Sequence, residues 1–238
     1  MRFLYGAVLL FVAASSVAGD AVIATYSLRP PYLLQTAGGM PGGLIGTPAV
    51  AAFQAAGIDV VWTQLPTNRQ LAMIKDPAAH SCALGWFRTP ERERYAKFTK
   101  AIYRDKDWVL LARTDFDPGE GYTLEGLLMR PSTRVLVKDN YSYGAHIDAL
   151  MARLKPNVAV STANTAQMLQ SVSAGAVDFT YLSLEEAQYL LAQDGAAVKK
   201  LRMLQPKDMP RGGERYIMCG KGVPDDVIAR LNKAITFK

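Results

Sequence analysis

Residues 81–99 read SCALGWFRTPERERYAKFT. Ser81 to Trp86 is a short apolar run of strand length. Thr89 followed by Pro90 then marks a helix start: a hydroxyl can accept from an orphan amide, and proline loses nothing by lacking its own at the first helical position. Reading upstream, Ala21–Tyr26 is a buried strand stopped by Arg29-Pro30-Pro31-Tyr32. Residues 37–46, with Gly38, Gly39, Gly42, Gly43, Gly46 and Pro41, read as a flexible turn or flap. Thr47-Pro48 starts a helix that Gly57 closes, Ile58–Trp62 is the next strand, and Thr67–Ile74 is a short helix. Strand, helix, strand, helix, strand is the order that builds a mostly parallel sheet covered by helices.

Downstream, Trp108–Ala112 is another apolar strand, and the character changes at Asp115–Gly121, with Pro118, Gly119 and Gly121. This places a first crossing between lobes at Ala112–Asp117. The α/β rhythm then restarts: strands at Val135–Val137, Val158–Val160 and Val177–Tyr181, and helices at Ser142–Leu154, Asn164–Ala174 and Leu184–Gln193. Ile147, Leu150, Met151 and Leu154 form one apolar stripe, and Ser183 with Glu186 has the spacing of a capping box. Gln205–Gly213 reads as the return crossing. Tyr216–Cys219 is a strand, and Pro224-Asp225 starts a helix with Val227, Ile228, Leu231 and Ile235 facing inward. The expected architecture is α/β with two lobes, one of residues 19–112 plus 209–238 and the other of residues 113–208 with the hinge segments.

Residues 1–18 have Arg2, an apolar run from Phe3 to Ala14, and small residues Ser16 and Ala18 before Gly19. This is the pattern of a cleavable secretory signal, and it predicts export to the periplasm. Losing Arg2 with the leader lowers the formal net charge from +6 to +5. The basic residues are scattered, so nucleic acid is not an expected partner, and the balance is a weak bias toward anions. No cysteine follows the leader to take a lipid. Cys82 and Cys219, an even count in an oxidising compartment, favour one disulfide over a pair of buried thiols. His80 and His146 stand alone, so neither a metal nor another cofactor is expected.

Four stretches, in this order and spacing, resemble the periplasmic solute-binding proteins of the amino-acid-binding type, extracellular solute-binding protein family 3. They are the strand ending in Arg29-Pro30-Pro31-Tyr32; Gly85–Arg92 with Tyr95–Thr99; Ala174–Phe179; and Val223–Asp226 with Leu231–Ile235. The resemblance implies the type II periplasmic-binding-protein fold, each lobe a mostly parallel sheet flanked by helices, joined by two hinge crossings. It also implies a monomer that delivers a small ligand to the membrane permease of an ABC transporter.

The family pattern makes Arg92 the carboxylate clamp, a role suited to the planar fork of a guanidinium. Gly85 would lend backbone contacts, and Trp86 or Phe87 would wall the site. Phe87 replaces the small hydroxyl residue usual in amino-acid binders. Ser142 and Tyr143, within Tyr141–Gly144, occupy the family's loop-to-helix anion site. Ser183 stands where amino-acid binders place a carboxylate for the ligand's ammonium, so a common zwitterion would lack its countercharge unless Glu185 or Glu186 reaches inward. Tyr26, Tyr32 and Arg69 lie at or after the carboxyl ends of the first two strands, where ligands of α/β sheets collect. Two alternatives stand beside transport. One is an enzyme like the cyclohexadienyl dehydratases on the same fold, for which the sequence offers only Glu91, Glu185 or Glu186 as acid or base. The other is a sensor or accessory protein presenting ligand to a partner that is not a transporter.

Overall fold

Val22, Ala24 and Tyr26 alternate along the first strand and enter one apolar core, as the twofold period of a strand requires. That strand lies one in from the edge of the first of two five-stranded sheets in the computed structural model, which describes residues 21–193 and 195–237. The expected leader at residues 1–18 lies outside the described residues.

The first part of the chain contains β1 (Val22–Tyr26), the short ribbon β2 (Leu34–Gln35) and β3 (Pro41–Gly42), α1 (Gly43–Ala55), β4 (Val60–Gln64), α2 (Thr67–Lys75), β5 (Ser81–Trp86), α3 (Pro90–Glu93) and β6 (Ala96–Arg104). A second part contains β7 (Trp108–Arg113), α4 (Leu124–Leu128), β8 (Arg134–Lys138), α5 (Ala145–Leu154), β9 (Asn157–Ser161), α6 (Thr165–Ser173), β10 (Phe179–Ser183), α7 (Leu184–Leu191) and β11 (Leu201–Leu204). The chain ends with β12 (Glu214–Gly220) and α8 (Asp225–Ala234).

The first sheet has the order β4-β1-β5-β12-β6 and the second β11-β7-β10-β8-β9. In each, four strands run one way and one runs against them: β12 in the first sheet, β7 in the second. Each of these reversed strands is the first that the chain makes after crossing from the other sheet. The mostly parallel, two-lobed α/β class expected from the sequence is therefore observed.

The crossings differ from the expected places. Trp108–Arg113 belongs to the second sheet, so the chain leaves the first lobe at residues 105–107 and not at Ala112–Asp117, and it returns over residues 205–213. The division at 112/113 is corrected accordingly. The cause is the composition of β7: Trp108, Leu110 and Ala112 enter the core on one face of the second sheet, and Val109 and Leu111 enter the core on the other. A strand buried on both faces carries no alternation that would tie it to either lobe.

Residues 37–40 of the glycine-rich stretch form the expected turn, and the remainder is strand and helix. α1 begins at Gly43, before Thr47-Pro48, and Pro48 lies inside it. Gly43 has φ +91°, and a Cβ there would stand 2.5 Å from the Pro31 carbonyl oxygen. Only glycine permits this approach, which lets the Leu44 and Ile45 amides donate to Pro31 O at 3.0 Å and Tyr32 O at 2.9 Å. The start of α1 thereby fixes the Arg29–Tyr32 loop at the carboxyl end of β1.

Cys82 and Cys219 lie directly opposite one another on β5 and β12 and form a disulfide. Among the described residues, no helix is long and apolar enough to cross a membrane.

Candidate ligand cleft between the lobes

The carboxyl ends of β1, β4 and β5 face those of β8 and β10 across the interlobe cleft, the region where α/β sheets gather ligands. Two chambers of about 40 Å³ each lie within it, and Arg29 and Tyr141 line both. A small-molecule pocket ordinarily measures about 300–1,000 Å³. The chambers hold a few water-sized bodies, and a larger ligand needs the lobes to part. Two wider grooves open outward, one of about 270 Å³ beside Arg92 and Asn140, the other of about 570 Å³ beside Lys138 and Thr165.

Arg92 is 7% exposed. Thr89 caps α3 as expected, its Oγ1 accepting from the Arg92 amide at 3.3 Å, which removes that amide from any anion site. The guanidinium lies 4.7 Å from the Trp86 ring centroid and donates to the carbonyls of Phe87 at 2.9 Å and Asn140 at 3.3 Å. The second of these bonds crosses the cleft. Among the described residues no carboxylate forms a salt bridge with Arg92. Burial accordingly holds its pKa below the usual arginine value, with only partial compensation from Tyr95, Tyr141, Glu91 and Asp148.

The other arginines of the cleft are paired. Arg29 donates from Nε and Nη2 to the two oxygens of Glu186 at 2.8 and 2.6 Å, and from Nη1 to the Tyr141 hydroxyl. Arg215, 2% exposed, binds Asp105 through three contacts of 2.5–3.0 Å and donates to the Gly85 carbonyl at 3.2 Å. Its guanidinium carbon lies 3.9 Å from the Phe87 ring centroid. Three guanidinium groups thus reach the cavity, and Arg92 alone lacks a carboxylate.

Of the residues singled out in the sequence, Tyr32, Gly85, Trp86, Phe87, Arg92 and Ser142 line the chamber beside Arg92, and Tyr143 lines the second. Phe87 reaches across the cleft to pack with Trp108 in the core of the second lobe. Ser183 sits just behind, its hydroxyl bonded to that of Tyr32. Tyr26 and Arg69 are not part of this wall. Tyr26 follows the strand alternation into the first core, and Arg69 is exposed because α2 turns Gln70, Leu71 and Ile74 inward instead.

Local chemistry at two expected subsites differs from the reading above. The Ser142 hydroxyl and the Tyr143 amide both donate to Asp148, the latter at 2.8 Å, so an internal carboxylate fills the start of α5. The Ser183–Glu186 capping box forms in one half only: Ser183 Oγ accepts from the Glu186 amide at 3.4 Å, while the Glu186 carboxylate turns to Arg29. Glu185 also faces the first lobe, accepting from the Tyr103 hydroxyl at 2.9 Å and from the Lys106 amide at 3.0 and 3.1 Å. Arg29 and Tyr141 were visible only as members of loops, and Arg215 had no signal at all. Its position beside the site depends on the return crossing, which brings residue 215 to residue 105.

No family model and no curated protein matches the chain. Solved structures do, over nearly its whole length. An ancestral arginine-binding protein bound to arginine is 16% identical, covers 90% of this chain and 90% of its own, and has a TM-score of 0.69. The fold is that of the two-lobed periplasmic binding proteins. The substrate-binding protein of an amino acid ABC transporter shares this binding-protein fold at 16% identity, with coverage of 90% and 91% and a TM-score of 0.68. So does a histidine kinase sensor domain with similarity to periplasmic binding proteins, at 17% identity, coverage of 92% and 90% and a TM-score of 0.72. Within this fold the cleft described above lies between the two lobes. Among the described residues no group of three or more His, Cys, Asp or Glu side chains is placed to hold a metal ion.

Proposed function

We propose that this protein is a periplasmic solute-binding protein that captures a small ligand bearing an anionic group between its lobes, closes over it by hinge motion, and delivers it to the permease of an ABC transporter. The observation that carries the reading is Arg92, a buried guanidinium at the cavity wall with carbonyl partners and, among the described residues, no carboxylate in salt-bridge contact. A buried unpaired charge is costly, and an anion binding there recovers that cost. The stacked Trp86 and the nearby Phe87 favour a ligand with an apolar or flat portion. A zwitterionic amino acid fits less well, because Glu186, which could serve an ammonium in the cleft, is already bound to Arg29. The Cys82–Cys219 disulfide supports an oxidising, extracytoplasmic location.

Binding without chemistry is the simpler reading of the wall itself. Its guanidinium, phenol, indole and phenyl groups stand among the hydroxyls of Ser27, Thr67 and Ser142, the amide of Gln70 and aliphatic side chains, with no carboxylate or imidazole among the lining side chains of the chamber beside Arg92 to serve as acid or base. A second reading, ligand presentation to a signalling partner, is favoured by the likeness to a sensor domain and by the number of direct bonds between the lobes. Neighbouring genes for a permease, or for a kinase, would separate the two.

A thermal-shift screen of amino acids, organic acids, small aromatics and sugars tests the ligand class. Carboxylates should raise the melting temperature of the wild type and leave Arg92→Met unmoved. Hits confined to uncharged compounds would remove Arg92 from the reading, and a hit consumed during incubation would mark an enzyme.

A further inference from the structure

The Arg29 side chain has the surroundings of a bound ligand. Its guanidinium carbon lies 5.1 Å from the ring centroids of both Tyr32 and Tyr141, one from each lobe. Two of its nitrogens meet Glu186 in a fork at 2.8 and 2.6 Å, and the third meets the Tyr141 hydroxyl. Two aromatic faces and a bidentate carboxylate are the means by which proteins recognise an organic cation. The Glu186 side chain is 1% exposed, and Thr165 Oγ1 donates to it at 3.4 Å. Burial opposes the charge on Arg29, yet Glu186 and the neighbouring tyrosines hold its pKa well above the usual arginine value. The backbone that carries Arg29 is pinned: its amide donates to Leu33 O at 2.9 Å, and its carbonyl accepts from the Tyr32 amide at 2.9 Å.

We infer that Glu186 with Tyr32 and Tyr141 is a cation subsite of the cleft, occupied by the protein's own Arg29, which thereby latches the two lobes and bars cationic ligands. The inference rests on the reading of the interlobe cleft as the binding site. Arg29 comes from the first lobe and Glu186 from the second, so the ion pair can persist only while the lobes are together. The Tyr32–Ser183 and Arg92–Asn140 bonds cross the same gap and close with it. A ligand that enters this cleft as a guanidinium or primary amine must compete with a tethered guanidinium. An anion at Arg92 meets no such competitor.

The test uses the whole folded protein and no anionic ligand, so its outcome is independent of the screen above. Small-angle scattering should find the wild type compact and Arg29→Ala expanded. Millimolar methylguanidinium should return Arg29→Ala to the compact form and raise its melting temperature, while the wild type responds to neither. Arg29→Gln/Glu186→Gln, which strands no buried charge, should be expanded and should bind methylguanidinium at least about tenfold more weakly than Arg29→Ala, equivalent to about 1.4 kcal/mol. If Arg29→Ala does not fold, the double variant alone reads the latch through its scattering. Scattering of the variants identical to the wild type would overturn the latch. Equal methylguanidinium binding with and without Glu186 would overturn the subsite.

Discussion

Arg215 at the start of β12 and Asp105, the first residue past β6, tie the outgoing and returning crossings together through three contacts of 2.5–3.0 Å, with both side chains almost wholly buried. The crossings are packed so closely that a Cβ on Gly212 would lie 2.1 Å from the Asp105 carbonyl oxygen. Removing one member of a buried pair leaves the other charged and unpartnered. Arg215→Met should therefore cost about 3–5 kcal/mol in urea unfolding, and Arg215→Met/Asp105→Leu should recover much of that loss. A cost below about 1 kcal/mol for the single change would mean that water replaces the pair at the hinge.

The disulfide joins residues 137 positions apart. Constraint of so long a loop in the unfolded chain is worth about 4–5 kcal/mol in the chain-entropy account, and loss of a native disulfide ordinarily costs about 2–5 kcal/mol. Cys82→Ala/Cys219→Ala should lose an amount in that range by denaturant titration while keeping the fold by circular dichroism. Both cysteines lie fully buried in the first core, so alanine also removes packing.

Alkaline pH should unfold the protein. Burial pushes the phenols of Tyr32, Tyr103, Tyr143 and Tyr181 well above the ordinary tyrosine value, and burial with the neighbouring Glu214 pushes Tyr216 up to about 12. An unfolded tyrosine ionises near 10.0, so between pH 10 and 12 the unfolded chain releases protons that the native one retains. Stability is complete below pH 10 and falls as pH rises through that window. Phenolate absorbance should grow in step with loss of the circular dichroism signal. Ionisation of the buried tyrosines ahead of unfolding would contradict the packing described around them.

Much of this architecture was legible because local chemistry determined it. Thr89 and Ser183 cap the helices they precede, and the 205–213 crossing announces itself with prolines and glycines. The placement of β7 was not legible, since an apolar strand covered on both faces fits either lobe. At the site, Arg92 and its aromatic neighbours follow from one contiguous motif. The partners of the other two arginines do not: Arg29 meets Glu186 157 residues away, and Arg215 meets Asp105 110 residues away. Pairing at such distances depends on which strand lies beside which, and no window of sequence contains that information. Asp148 was hidden for a different reason: as the fourth residue of α5, it reads as an ordinary first-turn acid.

The bond between Cys82 and Cys219 has a further effect on how the molecule comes apart. Both chain passages between the lobes, residues 105–107 and 205–213, lie within the segment that it encloses. A protease cutting either passage would leave two pieces still fastened through the first lobe, and they would migrate together until a reductant released them. Severing the backbone at the hinge thus need not set the second lobe free.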